Sequence, residues 1–159
     1  MGLRRVNKWL LPLLLLLVAC DGTLFHRFSS IEGGLWNSTD TLAFGFEGVS
    51  GKHNGCMFDL CLEVRTTAAY SYRNVVMRVE AFVSGDSLPQ AVDTLFCEVY
   101  DSNGRHKGST AGLLYQVGSE PKTLSLSADS LLFKVSHIMD CDTLCGVSDV
   151  GLKLMRHKD

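Results

Sequence analysis

The stretch Phe58-Asp59-Leu60-Cys61-Leu62-Glu63-Val64-Arg65 decides the fold. Phe58, Leu60, Leu62 and Val64 occupy every second position, and Asp59, Cys61, Glu63 and Arg65 fill the gaps. Successive side chains of a strand point to opposite faces, so this pattern describes a half-buried strand with one apolar face. The same period recurs on both sides of it. Leu42, Phe44 and Phe46 alternate with Ala43, Gly45 and Glu47. Val75, Met77, Val79, Ala81 and Val83 share a face, set against Arg78 and Glu80. Leu131, Phe133 and Val135 form a further inward row, and Val150, Leu152 and Leu154 form the last, with Lys153 outside. Val92 to Tyr100 is apolar on both faces and is expected in the middle of a sheet. Leu24 to Ile31 has β character without a clean period, which suits a weak edge strand.

Turn chemistry separates these runs: Glu32-Gly33-Gly34, the loop 48–55, Ser84 to Ser87, and Asp101-Ser102-Asn103-Gly104. Residues 105–122, interrupted by Gly108, Gly112 and Gly118, offer only a short strand around Leu113, Leu114 and Tyr115. Thr123 to Ser127 alternates weakly, and no segment sustains a 3.6-residue period. Short strands at steady spacing with polar turns indicate an all-β protein. The expectation is one antiparallel β-sandwich of jelly-roll or immunoglobulin-like kind over residues 20–159, with alternating inward residues between two sheets.

Residues 1–19 stand apart. Arg4, Arg5 and Lys8 precede an apolar run from Trp9 to Ala19, and Cys20 follows directly. A basic head, an apolar run and a small residue before a cut mark an export signal. With cysteine next in line, the segment resembles the bacterial lipobox. That implies cleavage between Ala19 and Cys20, a diacylglycerol thioether on the Cys20 sulfur and an acylated amino group, with fatty chains of the palmitate kind. The run is shorter than the roughly 20 residues a membrane span requires. Each buried lipid methylene contributes about 0.8 kcal/mol, and two chains suffice for stable anchoring. Cys20 is therefore the expected membrane attachment.

The leader carries three of the 15 basic residues and none of the 17 acidic ones, so the mature 140 residues have a net charge of −5. No cluster of Lys and Arg remains, which argues against nucleic acid as a partner. Five cysteines follow Cys20: Cys56, Cys61, Cys97, Cys141 and Cys145. An exported domain meets an oxidising compartment, where thiols pair. Cys141 with Cys145 is the first candidate disulfide and Cys56 with Cys61 the second. Zinc on His53, Cys56, Cys61 and the Cys141/Cys145 pair is a poor match to the spacing such sites use. No metal or other cofactor is expected.

Nor is a catalytic group. The chain has no Gly-x-Ser-x-Gly elbow and no His-Glu-x-x-His, and nothing singles out a carboxylate pair. His137 shares parity with Leu131, Phe133 and Val135 and reads as a core histidine, and Trp36, after a Gly-Gly turn, reads as the plug of one end of the core. Tyr70 and Tyr72 flank Ser71 and could form a platform for sugar rings. Loops 48–57, 66–74 and 105–118 are the places for partner contact, with Leu113, Leu114 and Tyr115 as the candidate docking residues.

Several pieces together resemble a known family: the lipobox; Gly34-Leu35-Trp36-Asn37 followed by Thr41 to Phe46; Asn74-Val75; Asp93-Thr94-Leu95; Asp101 to Gly108 with Leu114-Tyr115; and the closing Gly146-Val147-Ser148-Asp149-Val150-Gly151-Leu152-Lys153-Leu154. They are similar to the gliding-motility lipoprotein GldH of the Bacteroidetes, from about Phe25 to Leu154. The resemblance implies a non-enzymatic lipoprotein of the cell envelope, accessory to gliding motility and linked with type IX secretion. It implies envelope proteins as partners. The single acid after Cys20, Asp21, favours an outer-membrane anchor facing the periplasm. The five mature cysteines lie outside the family pattern. The alternative function is a glycan-binding lipoprotein of the same architecture.

Overall fold

The computed structural model describes residues 22–48, 57–83, 85–126 and 130–157. Twelve strands account for most of them: β1 Thr23–Ser30, β2 Leu35–Asn37, β3 Leu42–Glu47, β4 Met57–Thr66, β5 Asn74–Val83, β6 Ala91–Glu98, β7 Ser109–Ala111, β8 Leu114–Gly118, β9 Lys122–Ser125, β10 Ser130–His137, β11 Thr143–Cys145 and β12 Val147–Arg156. One 3-10 turn, Glu32–Gly34, interrupts them. All pairings are antiparallel.

The opening stretch becomes β4, at the centre of a six-stranded sheet ordered β1-β12-β4-β8-β7, with β9 beside β8 on the same flank of β4. Phe58, Leu60, Leu62 and Val64 are buried, the last three against a four-stranded sheet ordered β3-β10-β5-β6. From that sheet Phe44, Phe46, Val75, Met77, Val79, Leu131, Phe133 and Val135 face them. β2 and β11 form a small ribbon of their own. Two sheets with a shared apolar layer are the expected sandwich, and β1 is the expected edge strand. Burying a leucine or phenylalanine removes roughly 1.5–3 kcal/mol of unfavourable hydration, so this layer supplies most of the driving force.

One expectation is corrected. β6 is not central; it closes the four-stranded sheet at an edge. Its outward face carries Val92 and Phe96, both exposed, while Leu95 and Cys97 face the core. Apolar character on both faces came from an exposed patch and not from a second covering layer. The free edge is not bare: Asp93 Oδ1 accepts the Thr94 N–H at 2.8 Å, and Asp93 Oδ2 lies 2.9 Å from Lys122 Nζ on β9.

The strands give the body two distinct ends. Thr23, Met57, Ser125 and Met155 lie together at one end of the six-stranded sheet. The Phe25 and Phe46 rings, 5.9 Å apart and edge to face, bring the Val83, Ser130 and Glu47 end of the other sheet to the same side. This is the near end, where the chain enters β1. The far end gathers Ser30, Thr66, Asn74, Glu98, His137 and Val147, with the β2–β11 ribbon across it.

A candidate interaction surface at the far end

Trp36 and His137 close the core at the far end. Trp36 is fully buried, and its indole N–H donates to Asp40 O at 3.2 Å. His137 stands edge-on to it with ring centroids 5.2 Å apart. His137 Nε2 lies 3.1 Å from Trp36 O, while Nδ1 has no partner in its buried position. Burial pushes the His137 pKa down; the hydrogen bond to Trp36 and the charge of Asp40 oppose this without reversing it. Both residues play the core roles their sequence positions suggested.

The closing motif explains itself in this setting. Gly146 has φ +85°, and a Cβ there would sit 2.5 Å from Tyr70 N. Only glycine passes that close to another backbone in that conformation. Asp149 accepts hydrogen bonds from Ser30 Oγ and Ser148 Oγ, both at 2.8 Å, tying β1 to β12. Gly151 makes room for the Phe28 ring, which a Cβ would meet at 2.6 Å. The Arg65 guanidinium also stacks over that ring, 3.7 Å from its centroid. Arg65 Nε donates to Gln116 Oε1 at 2.9 Å, and Gln116 Nε2 donates to Glu63 Oε2 at 3.0 Å. His26 Nε2 lies 3.1 Å from the same oxygen. This network across β1, β12, β4 and β8 cannot be read from sequence spacing. Its one signal is a glycine inside a strand, which marks a close approach.

Around this plug runs a chain of aromatic side chains. Tyr70, 2% exposed, donates its hydroxyl to Asn74 O at 2.7 Å. Tyr100 donates to Tyr70 O at 2.8 Å. The His106 ring lies 4.1 Å from the Tyr100 ring and stacks parallel on Tyr115 at 3.6 Å. Loss of hydration lowers the His106 pKa, which favours the neutral ring in this stack. The chain reaches the β7–β8 hairpin, whose apex residue Leu113 is 91% exposed, with Leu114 and Tyr115 half-buried behind it. A shallow cleft of 450 Å³ opens beside the chain, lined by Tyr70, Ser71, Arg73, Tyr100, Asp101 and Ser102. Arg73 and Lys107 both pair with Glu98 at its rim, and their hydrogen bonds hold that carboxyl below its ordinary pKa.

The sequence candidates therefore fare differently. Leu113 is exposed at the β7–β8 apex, whereas Leu114 and Tyr115 are half-buried successive residues of β8 and so point to opposite faces. Tyr70 and Tyr72 do not form a platform: Tyr72 is exposed, but Tyr70 is drawn into the core by its bond to Asn74 O. The Cys141–Cys145 bridge is not formed; both are free thiols, as are Cys61 and Cys97. Cys145 points outward from β11, whereas Cys141 packs toward the core and bonds to Tyr72, pushing that phenol's pKa up. Cys61 lies opposite Lys153 on the outer side of β4, remote from the far-end thiols, so it shares no metal with them. Cys97 is sealed in the core, its thiol 3.4 Å from Leu62 O and its pKa pushed up to about 12 by burial. Cys20, Ala19, Cys56 and His53 lie outside the described residues.

The description "GldH lipoprotein" matches residues 23–154, from the first residue of β1 nearly to the end of β12. The chain belongs to the GldH lipoprotein family. It is thus a membrane-associated envelope lipoprotein of a family related to gliding motility. No curated protein matches this GldH-family chain. Among solved structures it is similar to the Eiger TNF from S. frugiperda, at 8% identity and TM-score 0.40, over 86% of this chain and 94% of that one. So loose a likeness carries no weight for the lipoprotein's function.

Proposed function

We propose that this lipoprotein is held by lipid on Cys20 in the outer membrane, facing the periplasm. There it serves the gliding and type IX secretion machinery by docking a neighbouring envelope protein, without catalysing a reaction. One observation carries the docking reading: Leu113, the most exposed large apolar side chain among the described residues, sits at a hairpin apex stiffened by the Tyr100–His106–Tyr115 stack. An apolar group on a pre-ordered support loses little entropy on binding, which is what a recognition element needs. In vivo cross-linking followed by mass spectrometry tests it. The native chain should capture an envelope component that Leu113→Asp, still folded, does not. Equal capture by both removes the reading.

The far-end cleft favours the second reading, a glycan-binding lipoprotein. Its Tyr100 ring, Arg73, Asp101 and two serines are the mixture of aromatic face and hydrogen-bonding groups that sugars use. Retardation on a polysaccharide gel that Asp101→Ala abolishes would support it over protein docking.

A further inference from the structure

We propose that the sandwich stands upright on its near end, with the Leu88 hairpin seated in the lipid headgroups and the far end held away from the membrane. The inference rests on lipid attachment at Cys20. Its first support is reach. Arg156 N donates to Gly22 O at 3.0 Å, so the β1–β12 ladder already holds the chain at Gly22. Two steps of at most about 3.6 Å each separate Gly22 from Cys20, a leash of about 7 Å. A headgroup layer is of the same thickness, since about 30 Å of hydrocarbon sits within roughly 40–45 Å of bilayer. The near end therefore cannot leave the lipid surface.

The second support is which side can face down. β1 belongs to the six-stranded sheet. Packed sheets lie about 10 Å apart. Lying on the four-stranded sheet would lift Gly22 above the lipid by more than the leash allows. Lying on the six-stranded sheet would press the Glu63, Arg65 and His26 network against the membrane and strip it of water, at a cost in desolvated charge. Standing on the near end avoids both. The near end also presents a fitting group: Leu88, 78% exposed, between β5 and β6, where Gln90 Nε2 donates to Asp86 Oδ2 at 2.9 Å. Met57 is exposed at the same end. β4 and β12 are ten residues long. At about 3.3 Å per residue the far end then stands roughly 30 Å from the headgroups.

Tryptophan placed at three sites in the full acylated chain tests the orientation, in vesicles of phosphatidylethanolamine and phosphatidylglycerol doped with a bromine-labelled phospholipid. Bromine quenches only indoles that reach the lipid, and the buried Trp36 supplies a constant background. Leu88→Trp should shift to the blue and lose most of its added emission. Phe96→Trp, on the outer face of the four-stranded sheet, and Leu113→Trp should keep theirs. Quenching at either of the latter, or none at Leu88→Trp, overturns the proposal. The mass of the same sample separates the two layers of the argument. Acylated Cys20 with an unquenched Leu88→Trp refutes the orientation alone, whereas unacylated Cys20 refutes the anchor as well.

Discussion

The two ends of the sandwich are built in different ways. At the near end β5 and β6 are joined as neighbours of one sheet, and Phe25 packs edge to face on Phe46. At the far end an indole, an imidazole and a chain of tyrosines hold irregular loops in place through hydrogen bonds to backbone oxygens. Both ends carry a nearly naked leucine on a hairpin, Leu88 at one and Leu113 at the other. One side-chain bond, Gln90 to Asp86, crosses the Leu88 turn, which is support enough for a group that only dips into a fluid layer. A stiff support suits a group that must meet a shaped partner.

The strongest way to break this contrast is to remove the plug. Trp36→Ala should cost about 3–5 kcal/mol, the range for deleting a large buried ring, read as a drop in the denaturant midpoint. A loss under about 1 kcal/mol would mean the far end is not rigid. Two glycines sharpen the point. Gly146 and Gly85 both have positive φ, at +85° and +95°, but a Cβ at Gly85 meets nothing within 4 Å. Each alanine pays the left-handed conformation, about 1–2 kcal/mol. Gly146→Ala adds the clash with Tyr70, so it should cost about 3 kcal/mol or more. Equal losses would show that crowding at Tyr70 is relieved cheaply.

Acid should loosen the far end next. The His137 pKa is lower in the folded chain than in the unfolded one, because burial disfavours the cation. The unfolded chain then binds more protons, so stability rises with pH in this range. It is complete above the ordinary histidine value of about 6.5, and it is lost as pH falls through the folded value. His137→Asn should be weaker at every pH yet lose less than the native chain between neutral and mildly acidic conditions. An unchanged pH slope would assign the effect to other groups, His106 included. Tyr100→Phe removes one hydrogen bond to Tyr70 O and should cost about 1 kcal/mol. Leu113→Asp should change stability by less than about 0.5 kcal/mol while abolishing cross-linking, which is the sharpest separation of support from contact.

What could be read beforehand follows from range. Period two in β4 and β5 states directly which residues face inward, and the parity of His137 placed it in the core. Parity says nothing about neighbours. β6 looked central because an apolar outer face and a second covering layer leave the same trace in sequence. Tyr70 looked available because its burial depends on one hydrogen bond within an aperiodic loop. The Phe28–Arg65–Gln116–Glu63 network joins strands up to 88 residues apart in sequence and has no local signature except Gly151. The far-end residues were legible as candidates; their common location was not, because it follows from strand order.

Asp93 has a consequence beyond its own sheet. Lipoproteins confined to a surface meet one another constantly, and an eight-residue strand with unpaired amides invites neighbours to zip into fibres. With one oxygen on the Thr94 amide and the other on Lys122, that carboxylate occupies the seam where polymerisation would start. A neighbouring copy therefore finds the Thr94 amide already taken and a charged pair beside it.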